Sequence, residues 1–160
     1  MIPKLYLCEQ NIVFFENSSS QKDVLSDLSQ CLYSSGHVRE SFSQAVQDRE
    51  EVFPTGLPTV PFGVAIPHTD IEHVISNSLA VGLLKNPVKF VEMGSSDGHL
   101  VNINLVMMLA VAEKESIIPV LRKVITILKD QVLLKNILST KNSGELYQLL
   151  NKELNDLVYC

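Results

Sequence analysis

Short apolar runs alternate along this chain with stretches of helical period, a pattern that predicts strands interleaved with helices. Ile12–Phe15 (IVFF), bounded by Asn11 and by polar residues 17–20, reads as a short buried strand. In the next segment Val24, Leu25, Leu28, Cys31 and Leu32 recur at helical spacing, with a serine upstream as N-cap and Gly36 as the stop. A second helix fits Arg39–Val52, where Phe42, Ala45, Val46 and Arg49 fall three or four residues apart. Phe53-Pro54-Thr55-Gly56 ends it, because proline disfavours helix in the residue before it and glycine invites a turn.

From Leu57 the texture becomes LPTVPFGVAIP, which reads as a loop and then a strand at Val64–Ile66, stopped by Pro67. Ser78–Leu84 and Val101–Ala112 read as two further strands. The second is almost continuously apolar in its C-terminal half, as expected of a central strand covered on both faces. Asn86-Pro87 and Gly94–Gly98 mark turns between them. Beyond Ala112 the pattern is helical over Ser116–Leu128, Val132–Leu138 and Glu145–Leu157, with breaks at Asp130 and Asn142-Ser143-Gly144. This order predicts an α/β layered domain with helices on both faces of a sheet. At 160 residues, with no internal repeat and no low-complexity linker, a single domain over 1–160 is expected.

Composition narrows the function more than the fold. The formal net charge is −5 and no dense Lys/Arg run occurs, which argues against a nucleic-acid partner. The longest apolar run, Leu105–Ala112, is far short of the roughly 20 residues of a membrane span. The first residues have neither a basic head nor a long apolar stretch, so no signal peptide is expected and the location predicted is cytoplasmic. Cys8, Cys31 and Cys160 show no CxxC spacing, and the expectation for a reducing compartment is three free thiols.

Among chemical motifs, HExxH, GxxxxGK[ST] and GxGxxG do not occur in the sequence, and the pattern GxSxG falls only on Gly94–Gly98, a turn between two strands rather than the strand-to-helix elbow of a hydrolase. A zinc enzyme, an α/β-hydrolase, a P-loop NTPase and a dinucleotide enzyme therefore each lack their signature, and neither a metal nor a cofactor is expected. The acidic groups Asp23, Asp27 and Asp48–Glu51 read as solvated helix faces. His68 stands apart, because it follows the strand-like Gly63-Val64-Ala65-Ile66 and the stiffening Pro67. Strand exits are where α/β folds gather binding groups. Thr69 and Asp70 are short polar groups able to orient an imidazole or cap a turn. His37 and His99 read as ordinary surface histidines.

The stretch GVAIPHTD, Gly63–Asp70, resembles the active-site signature of type-2 enzyme IIA domains of the sugar phosphotransferase system, the fructose, mannitol and galactitol class. Residues 48–57, DREEVFPTGL, resemble the family's upstream block, and the order of elements matches over nearly the whole chain. The wording of FPTGL and IPHTD looks closest to galactitol-type proteins. The resemblance implies a three-layer α/β/α domain with a small mixed sheet flanked by helices. It also implies a phosphoryl carrier that needs no cofactor. His68 would accept the group from phospho-HPr and pass it to a cysteine of the cognate enzyme IIB, with membrane component IIC choosing the sugar. Arg49 matches the family arginine that meets the phosphoryl oxygens, and its planar fork suits them.

One departure stands out. Mannitol-type members carry a second histidine after the long central strand, and here Ser116 falls in that place. A neutral hydroxyl then replaces a titratable ring, which favours the galactitol branch. His73 is a further candidate neighbour of the pocket, and Val60, Phe62, Ile66 and Ile71 are candidates for an apolar docking surface. The competing function is a regulatory protein of the same fold, like the nitrogen-type IIA proteins, whose phosphorylation controls partners and feeds no sugar. A non-catalytic binding domain of the same fold, as in the cytosolic parts of some anion transporters, fits less well with His68 and Arg49 both present.

Overall fold

The computed structural model describes residues 2–160. Its strands are β1 (Leu5–Leu7), β2 (Ile12–Phe15), β3 (Gly56–Leu57), β4 (Gly63–Ala65), β5 (Ser78–Val91), β6 (Leu100–Ala110) and β7 (Leu157–Tyr159). The helices are α1 (Gln21–Ser34), α2 (Phe42–Val52), α3 (Lys114–Ile127), α4 (Gln131–Leu138) and α5 (Ser143–Leu154). The strands form one mixed sheet in the order β3-β4-β6-β5-β1-β7, and β2 continues beside β5 beyond β1. β5 and β6 pair antiparallel as its spine, β4 runs parallel to β6, and β1 and β2 run parallel to β5.

Period-2 alternation along the spine sorts the core into two layers. Leu79, Val81 and Leu83 of β5, with Leu105, Met107 and Leu109 of β6, pack under Val120, Val124, Leu134, Leu146 and Leu150 of α3, α4 and α5. Ala80, Leu84, Val106 and Met108 face Val24, Leu28, Leu32, Phe42 and Val46 of α1 and α2. A helix of 14 residues such as α1 is marginal alone. Burial of Val24, Leu25, Leu28 and Leu32 holds it, at about 1.5–3 kcal/mol for each side chain. Ser20 caps it, its hydroxyl accepting from Asp23 N at 3.1 Å, and Gly36 leaves it at φ 81°, a backbone state open to glycine. This is the layered α/β architecture expected.

Three local expectations are corrected. Asn86-Pro87 is not a turn: β5 runs through it, and the register slips there, since Leu83 pairs with Leu105 and Val88 with Ile103. Pro87 sits in that bulge, where no ladder N–H is required, and the Asn104 amide fills the gap by donating to Leu84 O at 2.9 Å. The last helix stops at Leu154, short of Leu157, because Asn155 turns left-handed at φ 60° and the chain re-enters the sheet as β7. Cys8 and Cys160 are not free thiols. They form a disulfide across a sequence separation of 152, brought together by the parallel pairing of β1 with β7, and Cys31 alone is free.

Candidate active site

β4 fixes the site by lying against β6 through Gly63↔Ile103, Val64↔Leu105 and Ala65↔Val106. The contact persists past the strand: Leu109 N donates to Pro67 O at 3.0 Å, and His68 bridges Leu109. His68 is partly exposed, and it lines a narrow crevice together with Leu109, Val111, Ile117 and Leu121. Its Nδ1–H donates to Ile66 O at 2.9 Å, two residues back. That bond selects the tautomer, so in the neutral ring Nε2 carries the lone pair. Burial pushes the imidazole below its ordinary pKa; the Ile66 bond and Asp70 oppose that, and the Arg49 charge adds to it. A neutral, nucleophilic ring is the result.

Arg49 comes from the last turn of α2. Its guanidinium lies over the Phe53 ring, 5.0 Å from the centroid, and Nη1 donates to Asp70 Oδ1 at 3.3 Å. Its Nε is buried without a hydrogen-bond partner. One contact, to an exposed carboxylate, leaves most of the fork's donor capacity unspent. Under Arg49, Glu50 is buried and receives Thr55 N at 2.7 Å and Thr55 Oγ1 at 2.8 Å. Burial raises Glu50 to about 7 against the pull of those two bonds and of Arg49. The Asp48–Glu51 stretch is therefore not wholly solvated. Nothing in the local sequence marks Glu50, because its chemistry depends on the turn after Pro54 bringing Thr55 back to it.

Neither Thr69 nor Asp70 orients the imidazole, because the main chain at Ile66 already does: Thr69 Oγ1 donates to Asp70 O at 2.7 Å, and Asp70 meets Arg49. His73 Nδ1 pairs with Ser41 Oγ at 2.8 Å, at the start of α2, and its Nε2 lies 3.5 Å from Glu72. Ser116 sits in the first turn of α3, while its neighbour Ile117 lines the His68 crevice. His37 is buried, contrary to its surface reading, and His99 is exposed beside Glu92. Of the four docking candidates, Ile66 is core and Val60 is exposed, whereas Phe62 and Ile71 are half-buried. Val52 and Phe53 are exposed beside Arg49.

Residues 6–153 match the family model described as phosphoenolpyruvate-dependent sugar phosphotransferase system, EIIA 2. The chain belongs to this family. Among curated EIIA relatives, the mannitol-specific EIICBA component of Buchnera aphidicola subsp. Baizongia pistaciae (strain Bp) is 23% identical over 150 residues, 92% of this chain. The chain spans only 22% of the length of that relative. The galactitol-specific EIIA component of Escherichia coli (strain K12) is 28% identical over 102 residues, 64% of this chain and 67% of that protein. In fold, the chain is similar to the solved complex of enzyme IIAMtl and phosphorylated enzyme IIBMtl from Escherichia coli. There the TM-score is 0.74 at 22% identity, covering 92% of this chain and 99% of that one. No helix among the described residues is long and apolar enough to cross a membrane.

Proposed function

We propose that this EIIA chain is a phosphoryl carrier in uptake of a sugar or polyol, with His68 as the residue that is phosphorylated. The observation that carries the reading is the His68 Nδ1–H bond to Ile66 O, which leaves Nε2 as a lone-pair nucleophile on a partly exposed residue. In the first step Nε2 attacks the phosphorus of phospho-HPr; the donor's P–N bond breaks as the new one forms, and the donor imidazole leaves neutral after taking up a proton. In the second, a thiolate of enzyme IIB attacks the phosphorus, a P–S bond forms as the His68 Nε2–P bond breaks, and the ring leaves as neutral imidazole with its proton still on Nδ1. Both steps exchange bonds of high transfer potential, so they need alignment and charge stabilisation more than activation. Arg49, poised beside Asp70 with donors to spare, supplies the stabilisation.

The galactitol-specific relative and the hydroxyl at Ser116 support a galactitol-like polyol as the cargo. Incubation with phosphoenolpyruvate, enzyme I and HPr tests the carrier role by mass spectrometry. The expected product is a single acid-labile phosphoryl adduct, lost in His68→Asn. An adduct that survives that substitution removes His68 from the role. Transfer onward to galactitol-type IIB, faster than to mannitol-type IIB, is the expected sign of the cargo.

A further inference from the structure

A second chemical cluster lies at the far end of β1, where Cys8, Cys160 and His37 meet. We propose that these three residues form a thiol site with two states: the disulfide seen here, and, once a dithiol has reduced it, a Cys2His site for Zn2+. Reduction transfers two electrons and two protons from the dithiol, which becomes a disulfide itself as the Cys8–Cys160 bond breaks. Zn2+ then displaces the two thiol protons to solvent.

The backbone keeps the sulfurs together whether or not they are bonded. Leu7 pairs with Tyr159 in the β1–β7 ladder, Cys160 N donates to Leu7 O at 3.3 Å, and Glu9 N donates to Cys160 O at 2.9 Å. Breaking the S–S bond therefore leaves both thiols on one clamp. His37 is held as firmly. Its N–H reaches Leu32 O at 3.0 Å, its carbonyl receives Ile75 N and Ser76 N, and its ring stacks on Tyr6 at 5.3 Å between centroids.

The ring orientation favours a metal over a bare disulfide. Nδ1 is paired with Ser76 Oγ at 2.7 Å, and Nε2 points to Cys8 Sγ at 3.4 Å. Fixing one ring nitrogen with an outer partner, so that the other faces the metal, is how protein sites hold a histidine ligand. A disulfide sulfur has no proton to offer that nitrogen and needs no imidazole. Two thiolates, one from the buried Cys8, do need a cation.

Distances agree. All three ligand atoms lie within 4.8 Å of one another. Around tetrahedral Zn2+, bonds of about 2.3 Å to sulfur and about 2.0 Å to nitrogen place S and N roughly 3.5 Å apart. The observed 3.4 Å between Cys8 Sγ and His37 Nε2 is already that separation, so Cys160 Sγ is the ligand atom that has to move once the bond is reduced. Cys160 is on the solvent side, which leaves water to complete the fourth position. The sequence does not announce the site, because Cys8 and His37 are 29 residues apart and the two cysteines 152.

The test uses the full chain, reduced with a dithiol that is then removed without air, and Co2+ as a coloured stand-in for Zn2+. One equivalent should give intense tetrahedral d–d bands with sulfur-to-cobalt charge transfer, bleached by one equivalent of Zn2+. Cys160→Ser, on the exposed side, should weaken Co2+ binding at least tenfold and cut the charge-transfer intensity. A folded, reduced wild-type chain that gives only the pale spectrum of hydrated Co2+ overturns the proposal. So do bands that persist unchanged in Cys160→Ser, or a disulfide that cannot be reduced while the chain stays folded.

Discussion

Glu50 receives both the backbone N–H and the hydroxyl of Thr55, at 2.7 and 2.8 Å, and so ties the end of α2 to the turn that leads into β3. Arg49 projects from that end, and Thr55 O in turn accepts from Ile66 N at 3.4 Å, beside the strand exit that carries His68. The Glu50–Thr55 pair thus joins the two segments of the candidate site.

Replacing this carboxylate reports on the tie. Glu50→Ala should cost about 1–3 kcal/mol, because it leaves the buried Thr55 N–H and hydroxyl without acceptors. Glu50→Gln should cost less and should alter the pH dependence. The folded value, about 7, lies above the ordinary 4.5, so the native state holds a proton that the unfolded chain has lost. That contribution to stability is full below the unfolded value and declines as pH rises from 4.5 to about 7. Denaturant melts of wild type and Glu50→Gln across that interval should diverge at the acid end and run parallel above it. Parallel curves throughout would remove the raised pKa.

Those same residues show what the sequence could and could not reveal. α1, α4 and the apolar half of β6 bury faces whose period is written into the local sequence, as with Val24, Leu25, Leu28 and Leu32. β1, β3 and β7 are only two or three residues long, too short for any period, and exist because a neighbouring strand pairs with them. For the site, His68 and Arg49 stand out through the residues around them, whereas the groups holding them do not. The imidazole is oriented by the carbonyl of Ile66, and every residue type has a carbonyl. Glu50 is distinguished from Asp48 and Glu51 only by which way α2 turns. Cysteine spacing says nothing of a pairing made through the β1–β7 ladder.

Arg49→Ala should leave the fold intact and slow phosphoryl transfer to His68 more than tenfold, equivalent to about 1.4 kcal/mol or more of transition-state stabilisation. The lost contacts are a single ion pair to an exposed Asp70 and the stacking on Phe53, together worth roughly 1 kcal/mol of stability. Arg49→Lys keeps the charge without the fork, and its rate should fall between the two. Rapid-quench phosphorylation by phospho-HPr measures this, with melting temperature as the structural control. Unchanged transfer in Arg49→Ala would discard the assignment.

Gly63 tests the scaffold without touching the chemistry. A Cβ there would stand 2.5 Å from Asn102 O and 2.7 Å from the Val101 side chain, and the first of these is backbone that cannot swing aside. Gly63→Ala should therefore push β4 off β6, cost about 1–3 kcal/mol and displace the His68 exit. Amide exchange should accelerate at Leu109, whose N–H depends on Pro67 O. If the variant is as stable as wild type and Leu109 stays protected, the close fit of β4 to β6 does not hold the site.

The pH profile of phosphoryl acceptance follows from the depressed pKa of His68. Because burial, aided by Arg49, holds the folded value below 6.5, the ring stays neutral where an ordinary histidine would begin to charge. Acceptance should be flat through neutrality and should fall only on the acid side of 6.5, as Nε2 takes up a proton. Stability moves in the same direction. The unfolded chain protonates first, so this group's contribution is full above the unfolded value and is lost as pH drops through 6.5 towards the folded one. His68→Asn offers an amide N–H near the Ile66 carbonyl without a titrating ring, and should flatten that part of the stability curve. NMR titration of the His68 ring gives the value directly, and a midpoint at or above 6.5 would contradict burial as its dominant influence. Arg49→Ala should then raise the midpoint, since removing a neighbouring positive charge favours the imidazolium.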